Sequence, residues 1–201
     1  TISSFFHQPE LLINETATRS AFFRNLPRYK IVQLYSHGYS EGADPVLYFN
    51  DSIVKLSEIQ QINNIGTEMI ALSACETGTG KIAEGEGVFS FARGFYAAGI
   101  PSLLTTLWQV DDRATYSITE LFYKHLQKGL ERDEALRQAK LEFIESSDKL
   151  YQLPYYWSSY ILIGSTGNIM EEKHNKLPVI YIVSAVLLIV LIYIILKKIF
   201  S

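Results

Sequence analysis

The chain is poor in cysteine. Among 201 residues there is one, Cys75. A single thiol cannot close an internal disulfide, nor can it supply a multi-thiolate metal site. A disulfide-stapled secreted fold is therefore excluded, and a reducing compartment is the better expectation. An excess of one charge is lacking too. The net charge is −3 with 19% charged residues, and the Lys and Arg side chains are scattered, with no basic, aromatic-studded stripe. Nothing here attracts nucleic acid, so no nucleic-acid partner is expected. Internal repeats and low-complexity runs are absent. The chain opens at Thr1 rather than Met, so the lack of an N-terminal signal excludes nothing.

What is present is apolar. Hydrophobic residues make up 48% of the chain, enough to build a core. The length suits one domain with an appendage. The longest hydrophobic run is Leu177–Leu196, LPVIYIVSAVLLIVLIYIIL, with no charge and no acid or amide side chain. It matches the roughly 20 residues a helix needs to cross about 30 Å of hydrocarbon. Tyr181 and Tyr193 lie near its ends, where aromatic rings favour the interface. Pro178 falls in the first turn, where a missing N–H costs little. The reading is a transmembrane helix over 177–199, preceded by a polar linker over 166–176 that holds His174. Lys173 and Lys176 balance Lys197 and Lys198, so the positive-inside count is a draw. A helix so near the C-terminus suits a single-pass anchor, with the domain at 1–165 on the cytoplasmic side of the membrane.

Within that domain the patterning alternates. Thr16 or Thr18 can cap a short helix, TRSAFFRNL, that ends before Pro27. KIVQLYS, residues 30–36, reads as a buried strand ending at His37-Gly38. Residues 39–45 form a turn-rich loop. VLYFN and Ile53-Val54 flank Asn50-Asp51-Ser52 as a hairpin, and Ser57 can cap a short helix, SEIQQI. EMIALSA, residues 68–74, is a second buried strand, stopping at Cys75. After the glycine-rich ETGTGKIAEGEG comes a helix over 87–98, with Phe89, Phe91, Phe95 and Tyr96 at apolar positions. Residues 101–108 predict a third strand. Asp111 or Asp112 can cap the helix RATYSITELFYKHLQKG. A further helix covers about 133–146, and 156–164 is a last strand. Strands alternating with helices imply an α/β fold, a mostly parallel sheet flanked by helices.

Two reactive residues stand at equivalent places. His37 ends one strand and Cys75 ends the next, and reacting groups in open α/β sheets gather beyond the carboxyl ends of strands. If those strands are close, a thiol and an imidazole face one cleft as nucleophile and base. The thiolate is the reactive form, and a nearby imidazolium stabilises it. Gly38 has no side chain, so its N–H can approach a substrate oxygen. With the N–H of Cys75 it makes two oxyanion donors, worth roughly 3–4 kcal/mol each in comparable sites. Two nucleotide-binding patterns fail on the same stretch. A phosphate loop needs Gly-x4-Gly-Lys-Ser/Thr, but the first position is Cys75 and the last Ile82. Gly78, Gly80 and Ala83 fit the dinucleotide fingerprint, but no acid follows about 20 residues on. His7 and His125 have no partner at a useful spacing; His125 reads as a solvated residue or a partner of the helix C-terminal dipole.

LYSHGYS at 34–40, ALSACETGTG at 71–80 and GEGVFSFARGFYAAGIPSLLTTLWQVDDRAT at 85–115 resemble, in that order, the segments of CHAT domains, a branch of the caspase-like cysteine peptidases. ALRQAK at 135–140 and YYWSSYILIG at 155–164 resemble the family's closing elements. The resemblance spans about residues 16–165. It implies a caspase-hemoglobinase-like fold, a His37–Cys75 dyad, and Gly38 and Cys75 N–H groups as the oxyanion hole. It implies a protein or peptide substrate cleaved through a thioester, and chemistry that needs no metal or organic cofactor. In caspases and metacaspases the residue two before the cysteine helps shape the pocket for the P1 residue. Here it is Ser73, small and neutral. Glu76, Asp111 and Asp112 are acids that could bring negative charge to the cleft, against bland roles as a loop charge (Glu76) and a helix cap (Asp112). Trp108 is expected to pack beneath the cleft. CHAT domains usually carry more sequence before the histidine strand than this chain has. An initial strand and helix, and an upstream repeat or sensor region, are therefore expected to be missing. The expectation is a membrane-anchored cysteine endopeptidase; the alternative is an inactive interaction or scaffold module at the membrane.

Overall fold

The structure is a computed structural model that describes residues 2–36, 38–39, 45–62, 66–74 and 86–170, with the backbone alone at 38–39, 74 and 86–90. At its centre is a four-stranded sheet made of β1 (Ile31–Ser36), β5 (Met69–Ala74), β6 (Ser102–Thr106) and β7 (Tyr160–Gly164), in that spatial order. The first three run parallel and β7 returns antiparallel. β2 (Gly38–Tyr39), β3 (Val46–Tyr48) and β4 (Ile53–Lys55) form a separate antiparallel sheet. The architecture is thus α/β with a parallel-rich sheet between helices, as the alternating pattern predicts.

The sheet's two faces follow from strand alternation. Ile70, Leu72 and Leu103 point to one side, into a core with Phe22, Leu26, Leu56, Ile59, Phe91 and Phe95. These come from α1 (Arg19–Asn25), its C-cap Leu26, α2 (Leu56–Ile59) and α3 (Glu86–Ala97). Met69, Ala71, Leu104 and Tyr160 point to the other side, under α4 (Asp112–Gln127) and α5 (Arg132–Ser146). In α4, Ala114, Ile118, Phe122 and Leu126 recur every four residues and are all buried. Ala135, Ala139 and Phe143 do the same in α5. Each fully buried Leu, Ile or Phe contributes about 1.5–3 kcal/mol of transfer free energy. Glycine matters at two places. Gly99 takes φ +84° and closes α3, a left-handed turn other residues resist. Gly94 lets α3 lie against α2, since a Cβ there would stand 2.0 Å from Leu56 Cδ1.

Several expectations need correcting. β1 is not a buried strand: among the described residues it is the sheet's edge, half-buried along most of its length. The third strand is shorter than 101–108 and ends at Thr106, after which Leu107 N–H donates to the Ser159 carbonyl at 2.9 Å. The last strand starts at Tyr160. Tyr156 and Trp157 belong instead to a helical turn, α6 (Pro154–Trp157), with Pro154 at its first position. There its fixed φ suits a helix start. Ser57 does not cap α2. That helix starts one residue earlier, and Glu58 reaches back to the Lys55 N–H at 2.9 Å. The loop expected over 39–45 begins in strand: Gly38 and Tyr39 pair with Leu47 and Val46. The hairpin stands as expected, with Tyr48 opposite Ile53. Among the described residues no helix is long and apolar enough to cross a membrane. The segment 177–199, the linker beyond Met170 and His174 lie outside the described residues.

Candidate active site

β1 and β5 are adjacent and parallel, and their last residues, Ser36 and Ala74, are register partners. The next residue in sequence is His37 after the one and Cys75 after the other. Both lie outside the described residues, as does Glu76. The described strands stop in one row, at one end of two neighbouring strands. β6 also ends there, leading into Leu107–Val110 and α4. Three carboxyl ends thus meet at one edge, the usual seat of sites in open α/β sheets.

The last row on the α4 side begins with Tyr35 of β1, opposite Ser73 of β5. Ser73 Oγ accepts from Gln33 Nε2 at 3.3 Å, and Gln33 Oε1 accepts from the Tyr123 hydroxyl at 2.7 Å. Tyr123 is fully buried, which pushes its phenol well above the ordinary value and keeps it a donor. Tyr35 packs on Tyr116 of α4, ring centroids 5.0 Å apart. Both remain open to solvent, 44% and 53% exposed. Desolvation of its hydroxyl raises the Tyr35 pKa, so it too stays neutral near pH 7. Further along the row, the Tyr160 hydroxyl donates to the Thr115 carbonyl at 3.2 Å.

The loop between β6 and α4 is strapped down. Trp108 Nε1 donates to the Tyr155 carbonyl at 3.0 Å, and the Tyr155 hydroxyl donates to the Gln109 carbonyl at 2.8 Å. The two rings stack with centroids 6.4 Å apart. Asp111, not Asp112, is the N-cap of α4: its Oδ1 accepts from Ala114 N–H at 2.8 Å. Its Oδ2 accepts from the Tyr151 hydroxyl at 3.2 Å, so both oxygens are engaged. Asp112 occupies the first turn of α4 and is exposed. Gly38 lies in β2, opposite Leu47 in the small sheet.

Sequence reasoning missed Gln33 and Tyr35. The one signal was a polar Gln inside an apolar strand, with Tyr two residues on and so on the same face. Of the two roles expected for His125, the solvated one fails: the residue lies in the last turn of α4, where it can meet the helix dipole, but it is buried, and its Nε2 lies 2.9 Å from Glu142 Oε2 of α5. Glu142 also accepts from Lys124 Nζ at 2.5 Å. Among the described residues, no group of three or more His, Cys, Asp or Glu side chains is gathered to hold a metal ion.

The fold and the edge just described define an α/β domain in which His37 and Cys75 follow, in sequence, two adjacent parallel strands. The profile of the CHAT domain matches residues 1–165, and the chain belongs to that caspase-like family. Its sequence is similar to tetratricopeptide repeat protein 28 of Mus musculus, 30% identical over 101 residues, and of Homo sapiens, 32% identical over 98 residues. Those matches cover 50% and 49% of this chain and 4% of each relative's length.

Proposed function

We propose that the chain is a cysteine endopeptidase with His37 and Cys75 as its dyad, held to a membrane by the segment 177–199. The observation that carries the reading is the register pairing of Ser36 with Ala74, the residues immediately before His37 and Cys75. Adjacent parallel strands ending in one row give a thiol and an imidazole a common cleft.

The chemistry balances with the chain's own residues. The Cys75 thiolate adds to the peptide carbonyl, and N–H groups of Gly38 and Cys75 stabilise the resulting oxyanion. The C–N bond breaks, and His37 gives its proton to the leaving amine. Water then adds to the thioester, giving up a proton to His37. The C–S bond breaks, releasing the acid and restoring the thiolate. The apolar run Leu177–Leu196 supports the anchor. The relatives are named for tetratricopeptide repeats, which supports an upstream repeat region that brings partners to the domain.

The test is intact-mass analysis after brief treatment with a chloromethyl-ketone probe at pH 7, on the native chain and on His37→Ala. Cys75 is the only thiol, so any thiol adduct is located at once. Rapid labelling that falls at least about tenfold in the variant supports the dyad, since a base assisting a nucleophile is worth roughly 10²–10⁴-fold. Slow labelling, equal in both, removes the peptidase reading and favours an inactive interaction module.

A further inference from the structure

Among the described residues β1 is paired on one side only, yet in sequence it leads directly to His37. Its end has a second support. Val32 and Leu34 turn into the core that also holds Leu47 and Val54 of the β3–β4 hairpin. By strand alternation Ser36 lies on that same face. There its hydroxyl donates to the Tyr48 carbonyl of β3. On the other flank of His37, Gly38 and Tyr39 pair with Leu47 and Val46 of the same strand. The residues immediately before and after His37 are thus both tied to β3.

The hairpin can act as a fixed point because it is anchored to the body of the domain. Leu47 and Val54 are fully buried. Phe49 packs on Phe22 of α1, ring centroids 5.0 Å apart. At the turn, Asn50 N–H donates to the Ala17 carbonyl at 3.0 Å, and Asp51 Oδ1 accepts from Arg19 N–H at 2.8 Å. At the base, Leu56 N–H donates to the Pro45 carbonyl at 2.8 Å. Water could satisfy a hydroxyl at a half-buried strand end, but a bond from one sheet to the other also fixes a backbone direction. One such bond at the surface adds little to stability. A catalytic group misplaced by about 1 Å, by contrast, can lose roughly 10²-fold in rate.

We infer that Ser36 is a positioning residue for His37, its hydroxyl bond to the Tyr48 carbonyl joining with the β2–β3 ladder to hold the backbone on both flanks of the base. The inference rests on the proposed dyad, and the experiment separates the two. The full chain is treated with a chloromethyl-ketone probe over a range of concentrations at pH 7, and Cys75 labelling is followed by intact mass. Ser36→Ala and Ser36→Val should lower the limiting rate at least about fivefold, inside the roughly 10²-fold that misplacement can cost, and leave the half-saturating concentration unchanged. Ser36→Thr, which keeps the hydroxyl on a side chain that strands accept, should label within about twofold of the native chain. In a His37→Ala background Ser36→Ala should have no further effect, because residues that act as a unit are not additive. Ser36 is half-buried at a strand end, so none of these changes threatens folding.

Equal rates in the native chain and Ser36→Ala, with His37→Ala slow, would overturn the positioning role and leave the dyad intact. A Ser36→Ala effect that persists undiminished in the His37→Ala background, or that Ser36→Thr shares, would do the same. A native chain indistinguishable from His37→Ala would overturn the dyad and this inference with it.

Discussion

Asp111 and Tyr151 are 40 positions apart and joined by a hydrogen bond, the phenol donating to Oδ2 at 3.2 Å, while Oδ1 caps α4 through Ala114. One carboxylate thus starts a helix and pins the segment after α5 to the edge of the sheet. Asp111→Ala should lower unfolding stability by about 1–2 kcal/mol, the range for losing an N-cap. Asp111→Asn, which keeps the capping oxygen, should cost less. Urea unfolding checks both, and equal midpoints for native and Asp111→Ala would mean that the cap contributes nothing.

Carboxylates on α5 make the fold sensitive to acid. Glu142 is held below the usual range, first by the Lys124 hydrogen bond and also by His125. Glu134 is pulled down to about 2, first by Arg137 and then by Gln138. A carboxyl with a depressed folded pKa adds stability above its unfolded value, near about 4.3, and loses it as pH falls through the folded one. The melting temperature should therefore drop between about pH 4.5 and 2. Glu142→Gln and Glu134→Gln should each flatten that decline, and curves that still superpose on the native one would place its source elsewhere.

Gly94 and Leu56 share one space. A Cβ at Gly94 would sit 2.0 Å from Leu56 Cδ1, so Gly94→Ala should cost about 1–3 kcal/mol through overpacking. Leu56→Ala should cost about 2–5 kcal/mol through its cavity. The double variant should cost clearly less than the two together, because each relieves the other. Simple additivity in denaturant unfolding would refute the contact.

Trp108 reports on the strapped loop. In a Trp157→Phe background it is the only indole. Tyr155→Ala removes the stacked ring and the hydroxyl bond to Gln109. The emission of Trp108 should shift to longer wavelength and acrylamide quenching should rise. Tyr155→Phe keeps the ring and should change both less. Spectra identical across the three proteins would mean that the loop is not held this way.

Much of this fold was legible because burial on both sides writes itself as an unbroken apolar run. EMIALSA lies between β1 and β6, and both its extent and its end at Cys75 were readable. KIVQLYS has the same look but is an edge strand, because an apolar run does not say how many neighbours it has. His125 looked solvated because Glu142 sits on another helix, at no spacing a sequence displays. Asp111 and Asp112 are adjacent acids before one helix, and only backbone geometry tells the cap from the first turn. Tyr156 and Trp157 favoured a strand by type, but Pro154 began a helical turn that took them. The pairing of Tyr35 with Tyr116 joins residues far apart in the chain, and only the register of β1 against α4 brings it out.

The edge position of β1 has a consequence for motion. The Lys30 carbonyl accepts from Met69 N–H at 3.0 Å, so alternate residues Val32, Leu34 and Ser36 turn their backbone toward β5. Ile31, Gln33 and Tyr35 turn theirs to the side where, among the described residues, no further strand pairs. β5 is held from both sides over Ile70–Leu72 and, among the described residues, β1 from one. Local opening should therefore release β1 before the centre of β5, with amide exchange alternating along β1 and slow at Ile70–Leu72. Under the proposed dyad, the strand that precedes His37 is thus the more loosely held of the two.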